Sequence, residues 1–182
     1  RRGHFTFFFF INPLLITRTS RQAAYTFEGR NNARFWRFSV GGYFGAVSHR
    51  DVSLDVFFGV DYHSHLGTKR AGMIIFSKER GFQRQIHNVE NTPFRTKFEK
   101  DLATFEGTSG IGCISGSDPQ PLLVRSPLGV FALTTCGVIN NADALIEEYF
   151  ADHGNQFMAM SSGKVNETEL VAALINQEDD FV

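Results

Sequence analysis

Residues 40–46 read V-G-G-Y-F-G-A, three glycines and two aromatic rings in seven positions. Such a run suits a buried strand whose backbone lies close to its neighbours, the glycines leaving space and the rings filling it. A first strand is therefore expected over residues 42–48. Working outward, Asp51 or Ser53 can cap a helix whose apolar positions are Leu54, Phe57, Phe58 and Tyr62, stopping near Gly67. Residues 71–77 (A-G-M-I-I-F-S) read as a buried strand, with residues 82–87 as its hairpin partner across E-R-G. Pro93 stands at the first position of a helix in which Phe94, Phe98, Leu102 and Phe105 recur at helical spacing, and which should end at Gly107. Strands follow at 111–114, 121–125 and 130–135, the last two joined by the turn S-P-L-G. Asn141 or Asp143 opens a helix through Leu145, Ile146, Tyr149 and Phe150 that stops at Gly154. A final helix begins at N-E-T-E, with Asn166 and Glu169 in capping-box spacing. Strands grouped between helices indicate an α+β layered fold.

The chain has 182 residues, 42% hydrophobic and 20% charged, enough for one domain with its own core. A net charge of −1 supplies no basic surplus for nucleic acid. That balance conceals a split: residues 1–40 carry seven Arg against Glu28, a net of +6, which leaves 11 basic and 18 acidic side chains, a net of −7, in the rest. Cys113 and Cys136 lie 23 positions apart without C-x-x-C spacing, so neither a disulfide framework nor a zinc site is indicated. Reduced thiols in a cytoplasmic protein are the expectation. No apolar run reaches the roughly 20 residues of a membrane span; the nearest, residues 5–16, is interrupted by Asn12 and Pro13.

The opening R-R-G-H and Phe-rich run resemble a targeting segment, yet no small-residue cleavage site follows directly and the first Met is Met73. Residues 1–39 are read instead as a non-native or unstructured upstream extension, with Val40 where an initiator would stand. Residues 40–182 then form the domain.

Five fragments occur in a recognisable order: G-G-Y-F-G at 41–45, H-L-G-T-K-R-A-G at 65–72, G-I-G at 110–112, P-Q-P-L-L-V-R-S-P-L-G at 119–129 and G-V-I-N-N-A-D-A-L at 137–145. Together they resemble the class II glutamine amidotransferase domain of the amidophosphoribosyltransferase family, over residues 41–182. The resemblance implies an N-terminal-nucleophile hydrolase-like fold, a four-layer αββα sandwich, here incomplete at the C-terminus. It also implies purine nucleotide biosynthesis, through formation of phosphoribosylamine, with a C-terminal phosphoribosyltransferase domain as partner and a homo-oligomeric assembly. That chemistry needs a cysteine thiolate whose own α-amino group shuttles the proton.

Here the matching position is Gly41, which has no side chain. The family's H-R-G becomes His65, Leu66 and Gly67, exchanging a carboxylate-holding guanidinium for an alkyl group. Its H-N-G turn becomes Thr135, Cys136 and Gly137, removing an oxyanion donor whose loss typically costs about 10²- to 10³-fold in rate. Its H-x-R-Y segment is reduced to Cys113, Ile114, Ser115 and Gly116, and its late acidic position is kept in changed form at Glu167. The expected pocket positions are thus Gly41, Leu66, Ser115, Cys136, Gly137 and Glu167, with no catalytic residue, no metal and no cofactor.

Three functions follow: an inactive glutaminase-like part of a phosphoribosylamine-forming protein, a non-catalytic sensor or interaction module of the same fold, or a hydrolase relocated to Cys113 or Cys136 with His63 or His65 as base. A buried structural thiol is the commoner fate of such a cysteine. The H-x-H of 63–65 is more often incidental than ligating. Lys69, Arg70 and Arg84 have too few basic neighbours for an RNA site.

Overall fold

The computed structural model describes residues 8–11, 41–66, 69–116, 118–153, 156–157, 160–161 and 163–177, with only the backbone of 8–11 and of Leu66, His153 and Ser161. Most of the 1–39 segment, and the helix stops expected at Gly67 and Gly154, lie outside those residues.

Strand β1 is Phe8–Ile11 and β2 is Gly42–Val47. Helix α1, Ser53–His63, is followed by a 3-10 turn at Ser64–Leu66. The hairpin of β3 (Arg70–Ser77) and β4 (Gly81–Asn88) precedes α2, Phe94–Leu102. Then come β5 (Ser109–Ser115), β6 (Leu122–Ser126), β7 (Gly129–Thr135) and α3 (Ala142–His153). A two-stranded ladder of β8 (Met160–Ser161) and β9 (Lys164–Val165) leads into α4, Glu167–Ile175.

The fold is mixed α and β. One sheet has the order β2-β5-β3-β4, antiparallel throughout, and a second has the order β1-β7-β6. In the second sheet β6 and β7 are antiparallel, whereas β1 runs parallel to β7, with Phe8 opposite Ala132 and Ile11 opposite Thr135.

Strand alternation divides the core. From β3, Ala71, Met73 and Ile75 face α1 and α2, joining Val56, Phe57, Val60, Phe94 and Phe98 in one cluster. The intervening Ile74 faces the other way and meets Ile111 of β5 and Ala132 of β7, where the two sheets touch. Phe131 and Leu133, on the opposite face of β7, pack on Val171 and Ala172 of α4. Gly72 is fixed by a close approach: a Cβ there would stand 1.8 Å from the Gln120 carbonyl oxygen. Any side chain at residue 72 would push the 120–121 loop off the sheet.

Two expectations are corrected by these contacts. Helix α2 ends at Leu102 instead of running to Gly107, because Thr104 turns back and donates to the Asp101 carbonyl through both its amide (2.8 Å) and its hydroxyl (2.7 Å). Phe105 is nonetheless buried, carried inward by the loop. Helix α1 is placed as expected, and of its expected apolar positions Phe57 is buried beside Val56 and Val60, while Leu54 and Phe58 are 53% exposed and Tyr62 75%.

Asp51 does not cap α1 as its N-terminal flanking residue, which is Val52. Its carboxylate accepts from the Ser53 amide (3.3 Å), the Ser53 hydroxyl (2.8 Å) and the distant Gly107 amide (2.9 Å). Partial burial pushes this carboxyl up, but the three donors outweigh it and hold Asp51 below its ordinary value. At α4 the Asn166 side chain caps the helix by accepting from the Thr168 amide at 2.9 Å, one residue short of the Glu169 position of the expected capping box.

Candidate functional site

Four chain segments converge beside the start of β2. Gly41 precedes that strand, Ile114 and Ser115 end β5, Thr135 ends β7 and is followed by Cys136 and Gly137, and Glu167 opens α4. Together with Gly116, Asp118 and Gln120 they line a cavity of about 20 Å³. Five of the six expected pocket positions therefore meet in one place. The sixth, Leu66, ends the 3-10 turn after α1, and its side chain lies outside the described residues.

The polar atoms around this cavity bond largely to protein. Buried Gln120 accepts through Oε1 from the Thr134 hydroxyl and the Thr135 amide, both at 2.8 Å. The Thr135 and Thr168 hydroxyls lie 2.7 Å apart, joining β7 to α4. Glu167 accepts from the Ile139 amide at 3.1 Å, and Ser115 donates to the Asp118 carbonyl. Among the described residues that line it none carries a positive charge, whereas Asp118 and Glu167 are acidic. A space of this volume holds about one water molecule.

Gly41 is closed by its surroundings as well as by its identity. An added Cβ would stand 2.6 Å from the Ile114 carbonyl oxygen and 3.6 Å from the Cys136 Sγ. The obstacle is backbone, and Ile114 is paired on both sides, to Gly42 of β2 and Ala71 of β3. A thiol at residue 41 would require that ladder to shift.

The two cysteines are poor nucleophiles. Burial pushes the Cys113 thiol up to about 12, with a Thr134 hydrogen bond and the Arg84 charge opposing it only partly. Burial also pushes Cys136 up. Both are thiols at neutral pH, the form that does not attack. His63 lies against Gly42, where an added Cβ would meet its ring at 2.6 Å, whereas Cys136 lies 3.6 Å from a Cβ added at Gly41. His65 is exposed on the 3-10 turn. Among the described residues no three His, Cys, Asp or Glu side chains come together to hold a metal ion, and no helix is long and apolar enough to cross a membrane.

Sequence reasoning missed Gln120, the residue that ties β7 to the 118–121 loop. Its only trace was the fragment P-Q-P at 119–121, where a polar side chain between two prolines reads as surface. Thr134 and Thr168 were equally silent, since their partners lie 14 and 33 positions away.

A scan against protein-family models finds no match, and a search of curated proteins finds none either. Among solved structures, the chain is similar to glutamine phosphoribosylpyrophosphate amidotransferase from B. subtilis complexed with ADP and GMP, with a TM-score of 0.62 and 24% identity over 78% of this chain. It is also similar to a structure of the allosteric regulatory enzyme of purine biosynthesis, with a TM-score of 0.62 and 22% identity over 78% of this chain. The likeness is one of fold. The chain spans about 30% of the length of each of these proteins.

Proposed function

We propose that this chain is a glutaminase-type domain of an amidophosphoribosyltransferase-like protein, one that no longer hydrolyses glutamine. Its layers fit a four-layer αββα arrangement: α1 and α2 on the four-stranded sheet, that sheet against the second, and α4 outside. The parent protein would form phosphoribosylamine in purine nucleotide synthesis through a phosphoribosyltransferase domain, in the cytoplasm. Ammonia would come from solution or from another glutaminase, while this domain serves assembly. Residues 1–39 are upstream extension on this reading, with Phe8–Ile11 added to the edge of the second sheet beside β7.

One observation carries the proposal: at the position where the fold's chemistry needs a nucleophile, Gly41 faces a one-water cavity with a backbone carbonyl in the place of a side chain. Acceleration of amide hydrolysis depends on a positioned nucleophile and oxyanion donors; Gly41 brings no nucleophile, and Cys136 stands where the resemblance expects one of the donors. The cavity's size also weighs against a sensor that holds glutamine.

The test is glutamate release from glutamine by the purified chain. A version starting at residue 41 and bearing Gly41→Cys supplies both a thiol and a free amine. Neither protein is expected to exceed the enzyme-free blank. Turnover by the unaltered chain would overturn the loss of activity, and turnover by the Gly41→Cys version would overturn the backbone obstruction.

A further inference from the structure

Helices α1, α2 and α4 each bury side chains in the body of the domain, and α3 does not. Its sequence, A-D-A-L-I-E-E-Y-F-A-D-H, sets Leu145, Ile146, Tyr149 and Phe150 along one stripe, as an inward-facing helix should. Yet no residue from Ala142 to Asp152 is buried, and among the described residues none belongs to the three apolar clusters. Part of the stripe faces open space. The rings of Tyr149 and Phe157, 5.1 Å apart, line a groove of about 380 Å³ together with Leu122 and Val124 of β6 and Ala172 and Ala173 of α4.

Local forces do not make up the difference. A helix of about 12 residues is marginal in water unless packing supports it. Helix α3 carries Asp143, Glu147, Glu148 and Asp152 and no Lys or Arg. Asp143 and Glu147 are four apart, and so are Glu148 and Asp152, so like charges meet on successive turns and weaken the helix. Asp152 also stands at the carbonyl end, where the helix dipole disfavours an anion. The chain just before α3 is fixed, by contrast: Ile139 packs against Phe131, Leu133, Val171 and Ala172, and its amide donates to Glu167 at 3.1 Å. Exposed Asn140 and Asn141 separate this anchor from the helix. We propose that α3 is a hinged flap, turning at Asn140 and Asn141, that unwinds and lifts off the groove while both sheets and α1, α2 and α4 stay folded. Opening uncovers the groove wall made by β6 and α4, and it exposes little area because α3 buries so little. Such a unit belongs to the low end of the range of local stabilities within one fold. This inference is independent of the functional reading above.

Amide hydrogen exchange of the full chain, read residue by residue by NMR, tests it. The amides of residues 145–152 should exchange together, about a hundredfold or more faster than those of β5 and α4. The Ile139 amide should stay with the slow set, which places the hinge after it. Urea well below the unfolding midpoint should speed exchange in β5 and α4 and leave α3 nearly unchanged, since denaturant sensitivity scales with the surface exposed on opening. Glu147→Lys, an exposed change that makes the pair with Asp143 attractive, should slow exchange in α3 about threefold and leave α4 as it was. Exchange in α3 as slow as in α4, or rising with urea in step with β5, would overturn the proposal. So would a Glu147→Lys chain in which α3 and α4 slow by the same factor, since the helix would then open only when the whole domain unfolds.

Discussion

Phe98 and Gln120 are both buried, at 0% and 4% exposure, and they hold their surroundings by different means. Phe98 stacks on Phe94 with centroids 4.5 Å apart and receives the edge of His87 at 4.7 Å. Its contribution is area and close contact, which any well-filled core supplies. Gln120 contributes direction: one oxygen accepts two hydrogen bonds and thereby aligns the end of β7 with a loop. The first region tolerates a neighbour of similar volume; the second does not tolerate a change of atom type. A pocket whose polar groups are directed at one another is organised as a joint between elements, with little left to address a ligand.

The largest effect should come from the apolar side. Phe98→Ala should remove about 3–5 kcal/mol of stability, read as a lower urea midpoint. Gln120→Leu keeps the approximate volume but strands the Thr134 hydroxyl and the Thr135 amide, and should cost about 1–3 kcal/mol in the same measurement. If Gln120→Leu proved the more damaging change, the polar joint and not the aromatic core would be what holds the two sheets in register.

The smallest effect concerns acid. Asp51 is held below its ordinary value when folded, so its contribution is present above the unfolded carboxylate value of about 3.9 and is lost as pH falls through the lower folded value. Asp51→Asn should therefore destabilise the chain modestly at pH 6, and the gap to the unaltered chain should narrow as pH approaches 3. Thermal melts across that range would show whether one carboxylate spanning Ser53 and Gly107 behaves more like the joint or more like the core.

Much of this architecture was legible in the residues, and what was not has particular causes. The strands from β2 to β7 announced themselves because Gly-rich and β-branched runs are bounded by turn residues, as at E-R-G and S-P-L-G. The orientation of α1 did not, because Val52, Val56 and Val60 recur at the same four-residue interval as Leu54, Phe58 and Tyr62. Periodicity cannot say which of two apolar stripes faces inward; of the four apolar positions read, Phe57 is buried and Leu54, Phe58 and Tyr62 are exposed. The end of α2 was hidden because Phe105 keeps helical spacing although the backbone has already turned. At the cavity, Gly41, Ser115, Cys136, Gly137 and Glu167 came through motif order, whereas Gln120 and the threonines acquire their roles only when β7, α4 and the loop meet in space. Cavity size was likewise invisible, being a property of how four segments close.

The carbonyl oxygen of Ile114, standing where a side chain at residue 41 would begin, also couples that residue to the strand ladder. A substitution there meets a steric penalty unless the end of β5 retreats, and β5 is held at that point from both sides, by Gly42 and by Ala71. Residue 41 and the end of β5 are therefore a single unit of redesign: neither can be altered without the other.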